Sequence, residues 1–115
     1  MNPQSKIENH KSSIELMSPA GSEAALAAAI RAGADSVYFG VGKLNMRARS
    51  AGLAPEDLPK IARRCRTAGV KSYLALNTIV YDGEMEEMHA LCDAAKAAGV
   101  SAVIATDIAT IEYAR

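Results

Sequence analysis

Ile14-Glu15-Leu16-Met17-Ser18-Pro19-Ala20-Gly21-Ser22, continued by the alanine-rich run Glu23 to Ala32 and by Gly33-Ala34-Asp35-Ser36-Val37-Tyr38-Phe39-Gly40-Val41-Gly42, is the stretch that decides the fold. It reads as a short apolar strand, a Pro-Gly loop, a helix and a second strand. Ser22 is placed to cap the helix through its hydroxyl, and Glu23 suits the positive end of the helix dipole. Leu26, Ala27 and Ile30 form the expected buried stripe. Glycine then stops the helix, because it accepts the left-handed conformation that other residues resist.

The rest of the chain repeats this grammar. Helices close on Ala32-Gly33, Ala68-Gly69 and Ala98-Gly99, and the three glycines stand 36 and 30 residues apart. That spacing suits one strand plus one helix per repeat. Strands are expected at Ile14–Ser18, Ser36–Phe39, Val70–Leu76 and Val100–Ala105. A second helix opens on Pro55-Glu56-Asp57, with Leu58, Ile61, Ala62 and Cys65 at i, i+3, i+4 and i+7. A third, about Glu84 to Ala98, has Met85, Met88, Cys92 and Ala95 as its stripe, with Leu91 beside it. A fourth begins at Ile108. Residues 1–13 are polar, lack a period and read as a flexible N-terminal arm, leaving 14–115 as the folded unit.

Strands alternating with helices over short links imply parallel strands and right-handed crossovers. Eight such units close a barrel of about 250 residues. The 115 residues here carry about four. The fold class expected is α/β: a partial (β/α) barrel, the N-terminal half of a TIM-type barrel.

Composition narrows the function. Formal net charge is zero, so no global field recruits nucleic acid or an anionic membrane. No apolar run reaches the ~20 residues that span a bilayer, and no signal-peptide core opens the chain. A cytoplasmic protein is expected. Cys65 and Cys92 suit a reducing compartment and sit on helical core stripes, so they read as small core residues. No metal-ligand spacing occurs around His10 or His89, and no metal site is expected.

In barrels of this kind the C-terminal strand ends and the loops after them build the active site. Here those are Ser18 with Pro19-Ala20-Gly21, Gly40 with the long loop from Val41 to Ala54, Asn77-Thr78, and Thr106-Asp107. Arg47 and Arg49 in the long loop are candidates for binding an anionic substrate group, since guanidinium offers bidentate bonds to carboxylate or phosphate. Asn77 and Asp107 are candidates for orienting substrate or moving a proton, and equally for capping the next helix. Glu15 lies low in the barrel and requires a partner there. The basic residues Lys60, Arg63, Arg64 and Arg66 of the second helix read as a solvated face, with RNA contact as the alternative.

Several of these segments resemble peptidase family U32, the collagenase-like peptidases. Glu15-Leu16-Met17-Ser18-Pro19-Ala20-Gly21 is similar to the family's E-L-L-A-P-A-G opening, with Ser18 where the family has Ala. Ala32 to Gly40 resembles its A-G-A-D-A-V-Y-x-G. Leu44 to Arg49, Leu76-Asn77-Thr78, and Ala98-Gly99-Val100 with Thr106-Asp107 follow in the family's order. The resemblance implies a β/α-barrel enzyme of which this chain is the N-terminal part, inactive by itself. It implies a peptidase. The alternative it carries is an oxygen-independent hydroxylase of tRNA, rRNA or ubiquinone precursors, with an iron–sulfur cluster held by cysteines downstream of this region. Neither Cys65 nor Cys92 matches such a position, so no cofactor is expected within the chain. The substrate is left open among small molecule, peptide and RNA. A third reading is a non-catalytic half barrel that self-associates through its open sheet edges.

Overall fold

The computed structural model describes residues 14–42, 44 and 53–115. Four strands, β1 (Met17–Pro19), β2 (Ser36–Phe39), β3 (Lys71–Leu76) and β4 (Ala102–Ala105), alternate with helices α1 (Glu23–Arg31), α2 (Leu58–Ala68), α3 (Met85–Ala98) and α4 (Ile108–Ala114). All the pairings are parallel and the order is β1-β2-β3-β4. Each strand lies beside the next one in sequence, as in a barrel wall. The partial-barrel α/β fold expected from the repeats is the fold observed. The 1–13 arm lies outside the described residues.

Side chains alternate across a strand, so the register sorts the sheet into two faces. Pro19, Tyr38, Tyr73 and Ala102 stand side by side on one, and Phe39, Leu74 and Val103 on the other. Val37, Phe39, Leu74 and Leu76 are buried in one cluster with Leu26, Leu58, Ile61, Met88, Leu91 and Ala95 of the helices. This is the helix-covered face. The opposite face carries Met17, Ser36, Tyr38, Lys71, Tyr73, Ala75 and Ile104, corresponding to a barrel interior. Its polar content is higher than a wholly apolar inner wall would have.

The helical stripes follow the sequence closely. Leu58, Ile61, Ala62 and Cys65 are all buried on α2, as are Met88, Leu91, Cys92 and Ala95 on α3. On α1 the buried pair is Leu26 and Ala29, so the stripe turns one residue away from Ala27. Ser22 caps α1 as expected, its Oγ accepting from the Ala25 amide at 3.1 Å. The second helix opens three residues later than expected, at Leu58, and the third one residue later, at Met85. The turns Pro55–Asp57 and Asp82–Glu84 are 3-10, tightened by carboxylates reaching back to accept from the Ala54 amide at 2.8 Å and the Tyr81 amide at 3.1 Å.

Strand β1 is the clearest departure, starting at Met17 rather than Ile14. The reason lies in Leu16. Its amide donates to the Asp35 carboxylate at 2.8 Å, and its carbonyl accepts from the Asp35 and Ser36 amides. With those groups tied to the turn before β2, the regular ladder begins one residue later. Pro19, lacking an N–H, is tolerated because β1 is an edge.

Gly69 and Gly99 end α2 and α3 with φ of 73° and 84°. A Cβ at Gly69 would meet nothing within 4 Å, whereas one at Gly99 would lie 2.8 Å from Arg66 Nη1. That guanidinium donates to the Ala98 carbonyl at 2.9 Å, satisfying an orphan acceptor at the end of α3. Gly69→Ala is therefore expected to cost only the left-handed conformational term, about 1–2 kcal/mol. Gly99→Ala is expected to cost more, because Arg66 must also leave its carbonyl. Urea denaturation of the two variants checks the order.

Candidate active-site rim

Because the four strands are parallel and level, their C-terminal ends meet along one rim. After β1, the Ala20 amide donates to the Tyr38 carbonyl at 2.9 Å, which ties the Pro-Ala-Gly turn to β2. Ala20 itself is buried. The Ser18 hydroxyl donates to the neighbouring Pro19 carbonyl at 3.2 Å, a local turn bond.

After β2, Gly40 leads into a loop whose first residues enter the core. Val41 and Leu44 are both buried. Gly42 takes φ 67°, and a Cβ there would stand 3.6 Å from Pro55 and 3.7 Å from the Glu87 carboxylate. The loop thus passes between the N-terminal ends of α2 and α3, which accounts for part of its length. Arg47 and Arg49, the proposed anion-binding residues, lie outside the described residues.

After β3 and β4 the rim is cross-linked. Asp107 follows β4 and is the N-cap of α4, its Oδ1 accepting from the Ala109 amide at 2.8 Å. Its Oδ2 accepts from the Val80 amide at 2.9 Å, in the loop after β3. These backbone donors, Val80 first and then Ala109, hold its carboxyl below the usual range. A general base at neutral pH works best with a pKa near that pH. The geometry of Asp107 is that of a cap and loop clasp. Asn77 follows β3 directly and is half-buried.

The clasp brings together side chains that the sequence reading passed over as loop. Ile79 and Tyr81 flank Val80, and Ile108 follows Asp107; all three are well exposed. The apolar run Ile79-Val80-Tyr81 was the available clue: Val80 packs against the core, whereas Ile79 and Tyr81 face water.

At the opposite end of the sheet, Glu15 has the partners that its position demands. Its carboxylate accepts from Lys71 Nζ at 3.2 Å and from the Tyr73 hydroxyl at 2.8 Å, spanning β2 to reach β3. The Ser36 hydroxyl, then Tyr73 and Lys71, lower its pKa. Ser36 is fully buried and its hydroxyl meets no partner at proper hydrogen-bond geometry; it acts on Glu15 as a nearby dipole. This cluster sits at the N-terminal end, where barrels build stability rather than chemistry.

The remaining candidates are placed in packing roles. Cys65 and Cys92 are buried free thiols, and burial raises the pKa of both. His89 stacks on Tyr113 with ring centroids 3.9 Å apart, and the Tyr113 hydroxyl donates to Asp93 at 2.9 Å. That joins α3 to α4. On α2, Lys60 pairs with Glu23 of α1 and Arg66 is held at Ala98, leaving Arg63 and Arg64 as the rest of the basic face. Among the described residues no cluster of His, Cys, Asp or Glu is arranged to hold a metal ion. No helix among them is long and apolar enough to cross a membrane.

Residues 21–115 match the profile of peptidase family U32. The chain belongs to peptidase family U32. It is 56% identical over 101 residues to a collagenase of Porphyromonas gingivalis, covering 87% of this chain and 24% of that protein. It is 38% identical over 101 residues to an uncharacterized protease of Methanocaldococcus jannaschii, covering 88% of this chain and 25% of that protein. A 23S rRNA 5-hydroxycytidine synthase of Escherichia coli is 32% identical over 106 residues, covering 92% of this chain and 16% of that protein. The chain therefore spans about a quarter of the length of the first two relatives. No solved structure matches it significantly.

Proposed function

We propose that this chain forms the N-terminal half of the barrel of a collagenase-like peptidase, contributing substrate-binding loops to a site completed by further β/α units. The observation that carries this reading is the 56% identity to a protein named collagenase along nearly the whole chain. The exposed rim residues Ile79, Tyr81 and Ile108 suit an extended peptide, whose side chains need apolar contacts beside the reacting bond. Arg47 and Arg49 are proposed to hold an anionic group of the substrate, and Asn77 and Gly40 to line its path. By itself the chain is expected to leave peptide bonds intact. The rim residues Ile79, Tyr81 and Ile108 reach water without supporting the core. Tyr81→Ser in the complete protein is therefore expected to raise KM for a denatured-collagen peptide several-fold, with kcat and the unfolding midpoint nearly unchanged. An unchanged KM would remove the rim from substrate binding.

A second reading is favoured by the likeness to the rRNA hydroxycytidine synthase: an oxygen-independent hydroxylase using an iron–sulfur cluster. Cluster ligation needs accessible thiolates. Cys65 and Cys92 are buried with raised pKa values, so neither fits as a ligand, and any cluster would rest on residues beyond this chain. Iron and acid-labile sulfide in the complete protein, purified without oxygen, separate the two readings. Stoichiometric amounts would favour the hydroxylase.

A further inference from the structure

The loop after β3 holds a short piece of extended backbone with groups to spare. Its side chains alternate: Ile79 and Tyr81 are 65% and 68% exposed, while Val80 between them packs against the core. That is the period of a strand, and Tyr81 itself is extended, with φ -89° and ψ 165°. The segment is held at two points. Asp107 Oδ2 accepts from the Val80 amide at 2.9 Å. The Tyr81 amide donates to Glu84 Oε1 at 3.1 Å, and the Tyr81 carbonyl accepts from the Glu84 amide at 2.7 Å.

In extended backbone the N–H and C=O of one residue leave the same edge, and those of the next residue leave the opposite edge. Val80 turns its N–H to Asp107, so Ile79 directs its own pair away from that carboxylate. Among the described residues neither backbone group of Ile79 has a partner. Tyr81 shares that edge, but both its groups are engaged by Glu84. The free edge is therefore one residue wide. Strand order places this loop between the loops after β2 and β4, in the interior of the chain's own rim.

We propose that Ile79 pairs with the backbone of an extended peptide substrate, one substrate residue exchanging both N–H···O bonds with it. This rests on the peptidase reading above and adds how the peptide is held. The pairing is antiparallel, the arrangement in which a single residue on each side makes both bonds, and that is all this edge offers. An adjacent donor and acceptor flanked by two apolar side chains is the complement of a peptide strand, where backbone bonds give hold and alternate side chains give selection. The register is then fixed. The substrate residue paired with Ile79 sets its side chain beside that of Ile79, and the residue two before it stands opposite Tyr81. The residue between them turns its N–H away from the rim. Substrates with apolar side chains two residues apart are therefore preferred. Asp107 and Glu84 act as positioning residues, because their bonds keep Val80 and Tyr81 extended on either side of the pairing position.

The test is binding of a synthetic serine-rich peptide, carrying two leucines two residues apart, to the complete protein, read by anisotropy of a fluorescent label. The C-terminal leucine is the one that pairs with Ile79. N-methylation of that leucine removes the donor to the Ile79 carbonyl and should weaken binding roughly tenfold. N-methylation of the serine between the leucines should change it little. Ile79→Pro removes the rim's own donor while keeping an extended φ, and should weaken the unmodified peptide by a similar factor; Ile79→Val should bind it nearly as the wild type does. Hydrolysis of the same peptide is followed separately. Binding with this methylation pattern but without cleavage would keep the pairing and remove the peptidase reading. Cleavage with binding indifferent to the methylated position would keep the peptidase and overturn the pairing. Absence of binding, or equal loss at both methylated positions, overturns the pairing too, whether or not the proline variant folds.

Discussion

Phe39→Ala is expected to remove most of the chain's stability at 25 °C. Phe39 is fully buried, at the end of β2 and within the cluster that joins sheet to helices. It is the only phenylalanine in a protein with no tryptophan. Removing a buried Phe side chain costs about 3–5 kcal/mol, through lost transfer energy and the cavity left behind. Domains of this size hold only about 5–15 kcal/mol in total, and the lower part of that range applies to a sheet with two open edges. Neighbours are poorly placed to fill the space, since Val37, Leu74 and Leu76 are fixed by the parallel ladder. Circular dichroism with urea titration reads the loss. Phe39→Leu, which restores most of the volume, should recover much of it. A cost under about 1 kcal/mol for the alanine variant would mean that Phe39 does not anchor the core.

Asp107→Ala should have the largest effect on the rim. One side chain satisfies the Ala109 amide at the start of α4 and the Val80 amide in the loop after β3. Its removal orphans two donors, frays a helix of only seven residues, and frees the loop carrying Ile79 and Tyr81. Faster amide exchange is expected at Val80 and Ala109, with little change in the centre of β3. Asp107→Asn keeps one acceptor oxygen and should fall between the alanine variant and the wild type. The pH dependence has a definite sign. A carboxyl whose folded pKa lies below its ordinary value of 3.8 stabilises the fold fully above that value. The contribution disappears as pH falls through the lower, folded pKa. Glu15 behaves in the same direction, so the chain should lose stability below about pH 4. Asp107→Ala should flatten that acid limb. An unaltered acid limb would contradict the clasp.

Much of the fold was legible because local chemistry and global topology agree here. The three Ala-Gly stops, the Ser22 cap and the stripes on α2 and α3 each act within one turn of chain. What proved hard to read depended on carboxylates that take backbone amides, one of them distant in sequence and two only three residues away. Asp35 takes the Leu16 backbone and so shortens β1 from its expected start at Ile14. Asp57 and Glu84 tighten the turns that delay α2 and α3. For the site, position on the rim was readable from strand order. The pair of bonds at Asp107 was only half legible, because the Ala109 cap is local in sequence while the Val80 contact joins it to the loop after β3. Arg66 shows the same limit from the other side: a member of an apparently solvated basic face turns out to close the end of α3.

The most direct measurement is the release of new α-amino groups from denatured collagen by the complete protein containing this chain. A peptidase built on this half barrel should release them in proportion to enzyme and time, with none from the 115-residue chain alone. No release above the blank from a folded complete protein would contradict the peptidase reading.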